Sequence, residues 1–126
     1  MESIRELGLG LANGLADLPA GMQRNLTANG VDKLFPVQES TFNLFANEQN
    51  ELIVKSRTGT GKTLSFLLPL EYLIRHSVDK QDNNGARNSK RAVKAIILEP
   101  TRELATQVQH QVEKFTSLRS CLLYGG

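Results

Sequence analysis

Residues Ser56, Arg57, Thr58, Gly59, Thr60, Gly61, Lys62 and Thr63 run consecutively and have the types and spacing of a phosphate cradle. Gly59 and Gly61 can take backbone angles closed to other residues, which lets the chain pass close to an oxygen-rich ligand. The N–H groups of such a loop, with the N-terminus of a following helix, supply donors and the positive end of a dipole. Lys62 adds a point charge suited to β- and γ-phosphates, and the Thr63 hydroxyl suits a place in a Mg²⁺ shell. The general pattern G-x-x-x-x-G-K-[ST] is missed at its first position, where Ser56 replaces glycine. A plain Gly-rich turn with an exposed lysine is the bland alternative. The flanks weigh against it, because an apolar run precedes the loop and a helical pattern follows it.

Two further segments carry usable chemistry. Pro100-Thr101-Arg102-Glu103 opens the run PTRELATQ just after the apolar Ala95–Leu98. Helix N–H groups, a hydroxyl and a guanidinium all suit phosphates, and such contacts position a nucleic acid without reading its sequence. Taken alone, the plainer reading is favoured, Thr101 as an N-cap and Arg102 as a surface charge. Gln38, in Pro36-Val37-Gln38, offers a donor and an acceptor that match an exocyclic amine and its adjoining ring nitrogen. The bland alternative is a surface glutamine on a first helical turn. His76 and His110 have no partners at metal-ligand spacing. The single cysteine, Cys121, forms no internal disulfide or Cys-rich zinc site and reads as a small buried strand residue.

These residues need elements to hold them. Residues 1–16 read as a loose lead-in and 17–126 as the folded portion. Leu18, Met22 and Leu26 recur every four residues after Pro19, and Asn29-Gly30 has the form of a helix stop. A second helix begins near Pro36 and presents Val37, Phe42 and Phe45. Leu52–Val54, Ala95–Leu98 and Leu122–Tyr124 read as short buried strands. Helices are expected from Leu64 to His76, kinked at Pro69, and from Thr101 to Phe115 with Leu104, Val108, Val112 and Phe115 on one face. Ser77–Lys94 is polar and reads as a flexible loop. Strands alternating with helices predict an α/β fold, a mostly parallel sheet with flanking helices.

Composition narrows the class. The chain has 126 residues, 40% of them hydrophobic and 22% charged, which is ordinary for one small domain with a buried core. The formal charge of +2 names no partner, but its distribution does. Residues 1–50 hold three basic and six acidic side chains, residues 51–126 twelve and seven. A polyanion is expected to meet the second half, although a solvated basic loop around Arg87, Lys90, Arg91 and Lys94 accounts for the same numbers. The longest apolar run, Phe66–Leu70, contains Pro69 and is too short to cross a bilayer. The opening MESIRELGLG lacks a basic region before an apolar stretch, so a soluble intracellular protein is expected, nucleus and cytoplasm undistinguished.

PVQ, SRTGTGKT, PTRELATQ and Gly125-Gly126, in that order, resemble the N-terminal RecA-like P-loop domain of DEAD-box RNA helicases. The likeness runs from about Leu18 to Gly126, and PTRELATQ paired with SRTGTGKT carries most of its specificity. In that family serine or alanine is usual where Ser56 stands. The resemblance implies that Gln38 reads adenine, that Ser56–Thr63 holds ATP with Mg²⁺ on Thr63, and that Lys62 and Thr63 serve catalysis. It implies RNA-backbone contacts at Pro100, Thr101, Arg102, Glu103, Gly125 and Gly126. The family's Asp-Glu-Ala-Asp segment and its second motor domain are not in the sequence. A helicase portion needing those segments is therefore expected, with self-association through uncovered sheet edges. A non-catalytic nucleotide- or RNA-binding module, or a truncated competitor of a full helicase, is the alternative. A small P-loop kinase fits PTRELATQ poorly.

Overall fold

The computed structural model describes residues 14–46, 51–57, 59, 61–81 and 92–125. A short 3-10 helix, Gly14–Asp17, leads into four α-helices: α1 Ala20–Ala28, α2 Pro36–Ala46, α3 Lys62–Gln81 and α4 Arg102–Phe115. Most of the expected lead-in and loop, including Arg87, Lys90 and Arg91, lies outside the described residues.

Each helix end has a local cause. Pro19 occupies the N-cap of α1, where its missing N–H costs no helical bond. At the other end, Gly30 has φ 83°. Its N–H donates to the Thr27 carbonyl at 3.1 Å, and the Val31 N–H reaches back to Leu26 at 2.9 Å. This paired arrangement satisfies two of the helix's last carbonyls and turns Val31 onto the core. Thr101 caps α4, its hydroxyl accepting from the Leu104 N–H at 3.2 Å. Glu103 in the first turn and Lys114 in the last complement the helix dipole.

The core gathers Leu18, Met22 and Leu26 with Leu34, Phe42 of α2, Leu64 and Leu68 of α3, and Phe115 of α4. Burying each such side chain contributes about 1.5–3 kcal/mol before chain entropy is charged against it. Tyr72 closes one side, its ring edge-on to Phe42 at 5.4 Å and stacked on His76 at 5.9 Å. Polar ties join the helix ends. Asn29 Nδ2 donates to the Lys114 carbonyl at 2.9 Å. The buried Glu71 Oε1 accepts from Arg75 Nε and Nη2 at 3.1 and 2.9 Å, and from the Ser117 N–H and hydroxyl, each at 3.2 Å.

The α/β expectation is overturned. Among the described residues the structure is helical and has no strand. Leu52–Val54, Ala95–Leu98 and Leu122–Tyr124 stand outside any ladder; Leu52 and Leu122 are half-buried, but Ile53 is 96% exposed, Leu98 88% and Leu123 84%. A β-branched run becomes a strand only when a neighbour supplies hydrogen-bond partners. None of the three segments supplies them to another. Cys121, expected to be buried on such a strand, is exposed for the same reason.

Helix boundaries also shift. α3 begins at Lys62 and runs to Gln81, through Pro69 and into the expected loop. On α4, Val112 and Phe115 are buried while Leu104 is 39% exposed, so only the C-terminal half of the expected apolar face reaches the core. On α2 the buried side chains are Gln38, Thr41 and Phe42, while Val37 and Phe45 are half-buried. Among the described residues, no helix is long and apolar enough to cross a membrane.

Candidate nucleotide and nucleic-acid sites

The phosphate-cradle residues lead directly into α3. Gly59 and Gly61 have φ 80° and 74°, the left-handed region that glycine enters without penalty. The Gly61 carbonyl accepts the Ser65 N–H at 3.2 Å, which starts the helix, and the Ser65 hydroxyl donates back to the Lys62 carbonyl. Lys62 and Thr63 are the first two residues of α3, Lys62 exposed and Thr63 half-buried. Ser56 is half-buried and Arg57 exposed, while Thr58 and Thr60 lie outside the described residues.

Gln38 comes to this loop from α2. Its Oε1 accepts the Phe35 N–H at 2.8 Å, and its Nε2 donates to the Gly61 carbonyl at 3.1 Å. The side chain is 2% exposed. A Cβ on Gly61 would run into the Gln38 amide and press on the Phe35 ring. Glycine at 61 is therefore required twice, by its φ and by the approach of Gln38. The sequence pattern pointed to both residues but not to their contact.

Beside the loop, a cleft of ≈ 370 Å³ opens between α3 and α4. Gly61, Thr63 and Leu64 line one wall and Gln107, His110, Gln111 and Phe115 the other. Among the described residues, no group of three His, Cys, Asp or Glu side chains could cage a metal ion. Were Mg²⁺ to bind beside this loop, the Thr63 hydroxyl at the start of α3 would be one oxygen available to it, with waters and a ligand's phosphates supplying others.

The second group of candidate residues is assembled from two parts of the chain. Pro100, Thr101, Arg102 and Glu103 are all exposed at the N-terminus of α4. Arg102 Nη2 donates to the Gly125 carbonyl, and its guanidinium carbon lies 5.1 Å from the centroid of the Tyr124 ring. Gly125 thus joins Arg102 in space, while Gly126 lies outside the described residues. Tyr124 was not singled out from the sequence. Its place next to Gly125 was the available signal, but a strand assignment hid it.

The family model for "DEAD/DEAH box helicase" matches residues 35–126, which hold both groups of residues. The chain belongs to the DEAD/DEAH box helicase family. It is 40% identical over 119 residues to DEAD-box ATP-dependent RNA helicase 7 of Arabidopsis thaliana, covering 86% of this chain and 16% of that protein. It is 41% identical over 104 residues to Nucleolar RNA helicase 2-A of Xenopus laevis, covering 82% of this chain and 13% of that one. With DEAD-box ATP-dependent RNA helicase 3 of Helianthus annuus it shares 35% identity over 117 residues, 92% of this chain and 48% of the relative. The chain therefore spans less than half the length of each of these relatives. No solved structure matches it.

Proposed function

We propose that residues 17–126 are the ATP- and RNA-binding part of an ATP-dependent RNA helicase. The bond from Gln38 to Gly61 carries this reading, because it brings the base-reading candidate onto the phosphate-cradle candidates at one place. The relatives' names support it: all three are RNA helicases by name, and those of Arabidopsis thaliana and Helianthus annuus are named ATP-dependent. ATP lies with its phosphates on Ser56–Thr63, Lys62 meeting the β- and γ-phosphates and Thr63 holding Mg²⁺ through its hydroxyl. Mg²⁺, when bound, neutralises charge on the phosphate oxygens. Adenine is read by Gln38, which must exchange its bond to Gly61 for one to the base, since its carboxamide is buried and already engaged at both ends. Single-stranded RNA runs past Pro100–Glu103 and Gly125-Gly126, held through its backbone and not through its sequence. ATP binding then clamps and bends the RNA, opening a duplex locally, and hydrolysis releases it.

A second reading makes the chain a non-catalytic module that binds nucleotide or RNA and associates with itself or with another chain. The exposed Ile53, Val93, Ile96, Leu98 and Leu123 favour it, since apolar side chains gathered in three short segments invite association. Light scattering on the purified chain tests it. A mass above one chain supports association, and a monomer at high concentration rejects it.

Calorimetric titration with Mg·ADP and Mg·GDP tests the nucleotide site, with Lys62→Ala as control. Binding of Mg·ADP in preference to Mg·GDP, lost in Lys62→Ala, is the expected result. Equal affinity for the two nucleotides overturns the role of Gln38. Binding unaffected by Lys62→Ala overturns the phosphate site.

A further inference from the structure

Tyr124 is 60% exposed, so its ring contributes little to the core, yet it is engaged by a residue far away in sequence. The guanidinium of Arg102 lies over that ring at 5.1 Å, and Arg102 Nη2 donates to the carbonyl of the very next residue, Gly125. An exposed arginine normally samples many rotamers, and each must be given up when it grips an anion. Here two contacts act on one guanidinium, the face of the Tyr124 ring below its carbon and the Gly125 carbonyl on Nη2. A phosphate is met in the guanidinium plane, where the N–H groups point. A cation–π contact with the ring therefore restrains the guanidinium without consuming a donor.

We propose that Tyr124 is a positioning residue that holds the Arg102 guanidinium at the N-terminus of α4 for a phosphate of single-stranded RNA. The inference rests on the RNA reading given above, and it assigns a role to a side chain that makes no RNA contact of its own. The phenol hydroxyl has no part in it, so phenylalanine substitutes for tyrosine. An aliphatic side chain does not, because it offers no negative π-face to the cation.

The test is the binding of a fluorescein-labelled oligouridylate to the full 126-residue chain, followed by anisotropy over a KCl series. Wild type is compared with Tyr124→Phe, Tyr124→Ala, Arg102→Ala and the Tyr124→Ala/Arg102→Ala double variant. Tyr124→Phe is expected to match wild type. Tyr124→Ala is expected to weaken binding by about two- to fivefold, the scale of an exposed cation–π contact. It should also lower the slope of log affinity against log salt toward that of Arg102→Ala, a change of about 0.7 for one phosphate contact on a single strand. In the double variant the tyrosine change should add nothing. Without RNA, the Arg102 Nε–H resonance should carry a ring-current shift that Tyr124→Phe keeps and Tyr124→Ala abolishes.

The outcomes separate the two readings. Arg102→Ala weakening RNA binding while Tyr124→Ala leaves it unchanged overturns the positioning role and spares the RNA site. A full Tyr124→Ala effect persisting on the Arg102→Ala background also overturns it, since Tyr124 then acts by itself. No RNA binding by wild type, or none lost in Arg102→Ala, removes the RNA reading and this inference with it.

Discussion

Gln38 Nε2 donates to the Gly61 carbonyl at 3.1 Å, while Gln38 Oε1 accepts the Phe35 N–H at 2.8 Å. One buried carboxamide thus ties the entry of α2 to the last residue before α3. Two segments well apart in the chain share a single polar side chain, which satisfies the Phe35 N–H and adds a second donor to the Gly61 carbonyl. This makes Gln38 structural as well as a candidate for base reading.

Gln38→Ala is expected to lower stability by about 1–3 kcal/mol, because it strands the Phe35 N–H and leaves the Gly61 carbonyl with the Ser65 N–H as its remaining donor. Gln38→Glu keeps an acceptor for Phe35 but sets a carboxylate oxygen against the Gly61 carbonyl, so it should do no better than alanine. Urea denaturation monitored by circular dichroism measures both. Wild-type stability in either variant would falsify the tie.

The two loop glycines should differ. At Gly59 a Cβ meets nothing within 4 Å, so Gly59→Ala faces only the left-handed backbone, about 1–2 kcal/mol. At Gly61 the same backbone cost is joined by a collision with the Gln38 amide and the Phe35 ring. Gly61→Ala should therefore lose clearly more stability than Gly59→Ala in parallel thermal melts. Equal losses would mean that Gln38 moves aside freely.

Glu71 is 1% exposed, and its Oε1 receives two bonds from Arg75 and two from Ser117. Its Oε2 is buried without a hydrogen-bond partner among the described residues. Removing the carboxylate frees the chain just after α4 from α3. Glu71→Ala should cost about 2–3 kcal/mol, at or below the usual loss on breaking a buried pair because Arg75 is half in solvent. Hydrogen exchange at the Ser117 amide should accelerate together with that loss. An unchanged exchange rate there argues against the anchoring role.

Leu68 has no exposed surface and belongs to the core between α2 and α3. Leu68→Ala should destabilise the chain by about 2–5 kcal/mol, through lost transfer energy and the cavity left behind. Leu73, on the same helix but 38% exposed, serves as the control, and Leu73→Ala should cost under 1 kcal/mol by the same denaturation assay. Similar losses at the two positions would mean that the core is assigned to the wrong face of α3.

Local signals and long-range ones fared differently. Asn29-Gly30 marks the end of α1, Thr101 caps α4, and Leu18, Met22 and Leu26 line the core side, because caps and helical periodicity depend on residues only a few positions apart. The strands at Leu52–Val54, Ala95–Leu98 and Leu122–Tyr124 did not form, because their ladder would need partners from distant sequence, which β-propensity does not provide. Gln38 and Thr41 show the converse. The sequence reads Gln38 as a base contact or a surface glutamine, and the partner that makes its burial tolerable belongs to another segment.

The sequence by itself determined the helices, their caps, the order of the phosphate-cradle and PTRELATQ residues, and with that order the family. Each of these rests on residue type and short spacing. Only the tertiary structure decided that Gln38 closes on Gly61, that Glu71 holds the chain after α4, and that Arg102 lies on Tyr124 beside Gly125. Contacts of that kind depend on how far-separated segments pack, and packing is settled by the burial and hydrogen-bond needs of the whole chain at once.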